Sequence, residues 1–278
     1  MKIEALLSPA ELPALAQRDL RAAACVVFDI LRATSTFVTA LHHGADGIIP
    51  VNGIPEALAV RQKFPGVMLA GEREGLRIRA SQANGVDFDF GNSPREFRPE
   101  KIAGKTIVST TTNGTRTLRA CAGAECVLAG SFLNLAATAE FLRRKNFATV
   151  LLVCAGTGEG VALEDVLAAG AMVELLMGRD FVEPQLKSGG EPLTPALSPG
   201  RGEGEKGGGP MDDSSLVAWE TFRQMKNNLT AAIGSSSNGR RLLANSELNA
   251  DVAFCAQRDV FNLVAVMGAD GVLRRTET

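Results

Sequence analysis

Short apolar runs rich in Val, Ile and Leu recur along the chain, and each passes through a polar turn into a segment of helical spacing. A strand buried on both faces reads as such a continuous apolar run, so the alternation predicts largely parallel strands joined by crossover helices. Residues 22–30, AAACVVFDI, form the first run, with Asp29 near its end. LRATSTFVTALHHGA then shows helical spacing at Leu31, Phe37, Val38 and Leu41, with Thr34 or Ser35 as cap and Gly44 as stop. Residues 46–51 read as a second strand, IPEALAVRQKF as a second helix and GVMLAGERE as a third strand. Residues 75–99 read as a long polar loop containing DFDFGNSP. The run 149–153 ends at Cys154 and a Gly-rich turn, and a helix over 161–178 carries Glu164 and Asp165 in its first turn, where acids complement the helix dipole. The expected fold is a three-layer α/β/α arrangement around a largely parallel or mixed sheet.

The stretch 105–117, KTIVSTTTNGTRT, is the strongest local candidate for ligand binding. An apolar strand signal runs into four hydroxyl residues, Ser109 to Thr112, then Asn113-Gly114 and Thr115-Arg116 at the head of a helix. First-turn amides have no partner within the helix and the dipole leaves partial positive charge there, so the turn suits an oxyanion. An ordinary hydroxyl-rich turn capped by Thr115 explains the same residues. Residues 107–130 also echo 26–51: strand, Thr-bearing turn, helix, Gly-Ala-acid, strand. The echo is compatible with a duplicated β-α-β unit, or with chance similarity between two such units.

A chain of 278 residues with 45% hydrophobic and 22% charged residues is long and apolar enough for a sizeable core. It reads as one domain over 1–278, interrupted at 187–210 by a Gly/Pro-rich segment whose composition predicts disorder. A net charge of −2 supplies no basic field for nucleic acid or anionic membrane, which leaves a small molecule as the expected partner. Pro9, Pro13, Glu4 and Glu11 break up any apolar leader, and no run is long enough to span a bilayer, so a cytoplasmic location is expected. The five cysteines show no C-x-x-C spacing and read as reduced and mostly buried. A homodimer fits the size and class, although no sequence feature marks an interface.

In sheets of this kind ligands collect beyond the carboxyl ends of the strands. Asp29, Glu72, Thr110 and Cys154 all fall at such ends. An oxyanion turn beside Asp29, Glu72, Glu164 and Asp165 poses an electrostatic conflict, which a divalent cation resolves. Mg²⁺ favours a few carboxylate oxygens together with phosphate and water, and can polarise a phosphoryl group. Arg32 and Arg116 offer fixed positive charge. Solvated acids and surface ion pairs are the bland alternatives for each of these residues.

Several phosphate-handling signatures are absent. Asp29 to Thr34 starts like a haloacid-dehalogenase loop but has Leu31 where its second aspartate belongs. Cys154 lacks the closing arginine of a cysteine-phosphatase loop, and His42 and His43, the only histidines, lack a preceding Arg. No G-x-x-x-x-G-K-[ST] loop occurs, and 156–160 lacks dinucleotide spacing.

Taken in order, VVFDILRATST, AGERE, DFGNSP, TIVSTTTNGTR, GSFLN, VCAGTGEGVALEDVLAAG, SNGRRL and DVAFCAQRD resemble the 2-phosphosulfolactate phosphatase family. The resemblance covers nearly the whole chain except the Gly/Pro-rich segment. It implies a Mg²⁺-dependent phosphatase converting 2-phospho-3-sulfolactate to 3-sulfolactate and phosphate, a step towards coenzyme M. Asp29, Glu72 and Glu164 or Asp165 are then expected to hold Mg²⁺. Thr111, Thr112, Asn113, Gly114 and Thr115, with Thr110 at the strand end and Asn92 in DFGNSP, are expected to bind substrate. So anionic a substrate also gives Arg32, Arg77, Arg79 and Arg116 a use, with Arg32 and Arg116 neutralising the transition state. Direct attack by water and a covalent intermediate on Cys154, Asp29 or a threonine both remain open. A phosphatase of another phosphorylated hydroxy acid, or a non-catalytic binder of such acids, is the alternative.

Overall fold

The run at 22–30 folds into a strand with every residue buried, and the sheet is arranged about it. In the computed structural model, which describes residues 1–178 and 211–276, the chain runs β1 (Lys2–Leu6), α1 (Leu12–Leu15), β2 (Ala23–Phe28), α2 (Ala33–His42), β3 (Gly47–Pro50), α3 (Ile54–Lys63), β4 (Met68–Arg73) and β5 (Leu76–Arg77). It continues through α4 (Pro99–Ile102), β6 (Thr106–Thr110), α5 (Gly114–Ala120), β7 (Cys126–Gly130), α6 (Leu135–Lys145), β8 (Thr149–Cys154) and α7 (Leu163–Met177). After the undescribed stretch come α8 (Asp213–Met225), α9 (Leu229–Ser235), α10 (Ser237–Leu243), α11 (Ala250–Cys255), β9 (Val264–Met267) and β10 (Leu273–Thr276). The Gly/Pro-rich segment 187–210 lies outside the described residues.

The strands form one mixed sheet in the order β1-β8-β2-β7-β9-β10-β3-β6-β4-β5. β1, β8, β2 and β7 are mutually parallel, and so are β3, β6 and β4. Between these blocks the β9–β10 hairpin pairs antiparallel with both, so the blocks run in opposite senses. The sequence reading misses β10. It also leaves the N-terminus without structure, whereas Lys2–Leu6 forms an edge strand beside β8. The echoed units β2-α2-β3 and β6-α5-β7 interleave: β2 pairs with β7, and β3 with β6.

Alternate residues of the strands face different layers, as the pleat requires. Val26 and Phe28 pack with Leu167, Met172 and Phe222 from α7 and α8. Cys25 and Val27 face the other way, against Phe37 of α2 and Leu118 of α5. In the opposite block Leu69 and Val108 pack with Ala57 of α3 and with Phe88. Each large apolar side chain so buried stabilises the fold by roughly 1.5–3 kcal/mol. Helix α7 lies so close to α8 that a Cβ on Gly170 would collide with the Ala218 carbonyl. That contact anchors the helices α9 to α11 that wall one side of the site. Among the described residues no helix is long and apolar enough to cross a membrane.

Candidate active site

Asp29 leaves the end of β2 at the point where the chain turns into α2. Its Oδ1 accepts from the Ala33 amide at 3.0 Å, and its carbonyl accepts from the Thr34 amide at 3.0 Å. Thr34 Oγ1 in turn accepts from the Asp29 amide at 3.0 Å. The helix entry expected at Thr34 or Ser35 is therefore capped by Asp29, which fixes that carboxylate rigidly. The turn after β6 packs against it, although β6 runs opposite to β2. A Cβ on Gly114 would stand 2.5 Å from Asp29 Oδ2, a close approach that only glycine permits.

Glu72, at the end of β4, is buried. Its Oε1 accepts from the amide and the hydroxyl of Thr112, at 2.7 and 2.8 Å, and its Oε2 from the Gly75 amide at 2.8 Å. Glu164, in the first turn of α7, is 1% exposed. Its Oε1 accepts from Asn238 Nδ2 at 2.7 Å, and its Oε2 is buried without a hydrogen-bond partner. Asp165 differs from its neighbour: Oδ1 accepts from the Ile30 amide at 2.8 Å and Oδ2 from the Gly156 amide at 3.0 Å. Of the two acids left as alternatives by the sequence, Asp165 ties two loops together and Glu164 keeps an oxygen free.

Asp29, Arg32, Glu72, Thr112, Asn113 and Asn238 border one cavity of about 410 Å³. Burial pushes the Asp29 carboxyl up to about 7; the charges of Glu72 and Glu164 add to the rise, while the Ala33 amide and Arg32 oppose it. Asp165 is likewise raised well above the usual carboxylate range, by burial and then by Glu164 and Asp29. Several negative charges therefore share one region without enough positive charge among them.

The expected oxyanion cradle is only partly present. Its donors are largely engaged inside the protein, because a tight turn satisfies its own amides wherever water is excluded. The Thr111 amide donates to Thr115 Oγ1 at 3.2 Å and the Thr115 amide to Thr111 Oγ1 at 3.1 Å. Asn113 Nδ2 donates to the carbonyls of Ala155, Gly156 and Gly158. Thr110 Oγ1 accepts from Arg73 Nη2 at 3.2 Å. Thr110, Thr111 and Thr115 are buried supports, and Thr112 and Asn113 alone of these residues border the cavity.

Three further expectations change. Arg116 does not reach the cavity: it pairs with Glu159 at 2.9 Å on the surface, with its side chain 46% exposed. Cys154 is wholly buried in the core, and burial, then Asp165, hold its thiol well above the normal range, an environment that disfavours the thiolate a nucleophile needs. Arg77 and Arg79 line a neighbouring cavity rather than this one. Arg32 does border the site, and Asn92 lines both cavities.

The structure adds residues that the sequence reading passed over. Arg73, Arg241 and Asn238 border the cavity. Asn238 links Glu164 to Thr157, donating to Thr157 Oγ1 at 2.6 Å, and accepts from Arg241 Nη2 at 3.0 Å. Asp251, fully buried, accepts from Arg32 Nη1 at 2.6 Å and from Ser93 Oγ at 2.7 Å. All three late residues lie in the blocks SNGRRL and DVAFCAQRD, whose polar members were the available signal.

Among the described residues no three Asp, Glu, His or Cys side chains gather tightly enough to form a metal cage. Mg²⁺ needs no such cage, since it is commonly held by one or two carboxylates, with water and phosphate completing the shell. The hard oxygen donors of Asp29 and Glu72, which border one cavity, fit that mode, and Glu164 with its orphaned oxygen lines the cavity beside it.

A family model described as 2-phosphosulpholactate phosphatase matches residues 10–269. A protein of Thermotoga petrophila named probable 2-phosphosulfolactate phosphatase is 40% identical over 242 residues, spanning 87% of this chain and 88% of its own. Proteins with the same name from Caldanaerobacter subterraneus and Thermosynechococcus vestitus are 37% and 32% identical, over 94% and 95% of this chain and 93% and 95% of their own.

Proposed function

The chain belongs to the 2-phosphosulpholactate phosphatase family, and on that premise we propose that it is a Mg²⁺-dependent phosphatase hydrolysing 2-phospho-3-sulfolactate to 3-sulfolactate and phosphate. The carrying observation is that Asp29 and Glu72, from two separate elements, line one cavity beside the Thr112–Asn113 turn, with the buried charge of Glu164 acting on Asp29 from the neighbouring one. For a substrate with three anionic groups that cavity is repulsive until a cation enters.

Asp29 and Glu72 would hold the ion, with Glu164 adding negative charge from the adjoining cavity. An ion held there would neutralise the carboxylates and polarise the phosphoryl group. Asn238 fixes the rotamer of Glu164, and Asp165 fixes the loops that carry Asp29 and Gly156. Arg73 and Arg241 supply positive charge to the substrate oxygens, a role that the surface pair Arg116–Glu159 does not fill. With Cys154 walled into the core and Asp29 assigned to the ion, we take the attacking oxygen to be that of water: its O–P bond forms as the ester P–O bond breaks, and a proton from the water ends on the ester oxygen of 3-sulfolactate. One cytoplasmic domain acting on a small soluble acid, in a route to coenzyme M, completes the reading.

The test is phosphate release from 2-phosphosulfolactate, 2-phospholactate and phosphoglycolate. The highest kcat/KM is expected for 2-phosphosulfolactate. A preference for another ester would reassign the substrate, and binding without release from any of them would make the protein a binder of phosphorylated acids.

A further inference from the structure

A second cavity, of about 460 Å³, adjoins the acid-lined one, and the two share Arg32, Arg73, Glu74, Gly75 and Asn92. Asn92 is 6% exposed. Its carbonyl accepts from Thr36 Oγ1 at 2.8 Å, which locks the residue in place, yet its side-chain amide makes no hydrogen bond among the described residues. Lining both cavities, that amide is free to pair with water or with a ligand that enters them.

Arg73 stands at the same junction. Its guanidinium donates to the carbonyls of Glu72 and Thr110 and to Thr110 Oγ1, all neutral acceptors. No carboxylate forms an ion pair with it among the described residues. Arg32 contrasts with it, since its charge is matched by Asp251. Beyond the junction Arg77 and Arg79 continue the basic lining. Of the acids there, Glu96 is held by the Gly91 amide at 3.0 Å, and Glu74 and Glu247 lie at the exposed rim.

We infer that the sulfonate of the substrate docks at this junction, on the Asn92 amide and the Arg73 guanidinium. The inference rests on the phosphatase reading above. In 2-phosphosulfolactate the carboxylate sits on the carbon that carries the phosphate ester, and the sulfonate on the next carbon. With the phosphate beside Asp29 and Glu72, the sulfonate, set one carbon further from the ester than the carboxylate, is the anion that can reach the junction. Its three weakly basic oxygens stay ionised and accept from N–H donors, which an amide and a planar guanidinium provide. Asn92 and Arg73 are thus the residues that separate a sulfonated substrate from its plain hydroxy-acid counterpart.

The experiment compares wild type, Asn92→Ala and Arg73→Met on 2-phosphosulfolactate and 2-phospholactate, reading the ratio of the two kcat/KM values. Each substitution is expected to lower that ratio by about tenfold or more, as loss of a hydrogen bond to a charged group implies. Arg73→Lys should restore part of it, and Asn92→Asp should lower it further than Asn92→Ala by repelling the sulfonate. Equal losses on both substrates, with the ratio unchanged, would assign the residues a merely structural role and overturn the inference. Wild type that releases phosphate equally from both compounds would overturn it while leaving the phosphatase reading standing. Wild type that cleaves neither would remove both.

Discussion

Arg32 Nη1 and Asp251 Oδ2 lie 2.6 Å apart, with side chains 3% and 0% exposed, so residues more than two hundred positions apart in sequence meet as a buried ion pair behind the cavity. Arg32 also donates to the Gly75 carbonyl at 2.7 Å, which ties the pair to the loop that Glu72 holds. Removing one partner strands the other charge. Arg32→Met should therefore destabilise the protein by about 3–5 kcal/mol in urea unfolding. The double variant Arg32→Met, Asp251→Leu should recover part of that loss. Single and double variants of equal stability would show that the pair is not energetically coupled.

Gly114 backs directly onto Asp29. A Cβ at that position would meet Asp29 Oδ2 at 2.5 Å and Ala33 Cβ at 2.6 Å, so Gly114→Ala forces the Asp29 carboxylate or the start of α2 to move. Overpacking of this kind costs about 1–3 kcal/mol. Displacing a catalytic group by a fraction of an ångström to an ångström lowers turnover by up to about 100-fold. Steady-state kinetics of Gly114→Ala should show a fall in kcat well beyond the small drop in melting temperature. Wild-type kcat would mean that the placement of Asp29 is not demanding.

The raised Asp29 carboxyl has a consequence for stability. Its folded value of about 7 exceeds the ordinary 3.8, so the folded state binds this proton more tightly than the unfolded state. Its contribution is full below about pH 4 and is lost as the pH climbs to 7, by at most about 4 kcal/mol and by less where the cavity water screens it. The buried Asp165 carboxyl has the same sign. His42, held low by burial, acts oppositely: its contribution grows as the pH rises towards 6.5 and is constant above. Melting of metal-free wild type and Asp29→Asn between pH 5 and 8 isolates the Asp29 share. Wild type should lose stability relative to the variant as pH rises, and Mg²⁺ at pH 8 should restore it. A constant difference across that range would contradict the placement of Asp29 among Glu72 and Glu164.

Much of the architecture is legible in the sequence because buried parallel strands leave unbroken apolar runs, as 22–30 and 149–154 do. β1 escapes because Lys2 and Glu4 interrupt its apolar residues at an edge position, and β10 escapes because LRRT carries little apolar content. The acids of the site are visible as strand-end and helix-start residues: Asp29 and Glu72 border the same cavity, and Glu164 lines the one next to it, joined through Asn238. The donors of 110–115 are not legible as spent, since nothing local tells that Thr112 holds Glu72 or that Asn113 reaches three carbonyls forty residues on. Pairings such as Arg32–Asp251 and Arg116–Glu159 are equally long in range, which is why two arginines given the same role end in different places.

The most direct measurement is the initial rate of phosphate release from 2-phosphosulfolactate by chelator-treated protein titrated with Mg²⁺, for wild type and Asp29→Asn side by side. Wild type should be inactive until Mg²⁺ is added, and Asp29→Asn should remain on the order of 100-fold or more below it at every concentration while melting cooperatively. Full release in the presence of chelator, or wild-type turnover by Asp29→Asn, would contradict a metal-dependent phosphatase centred on Asp29.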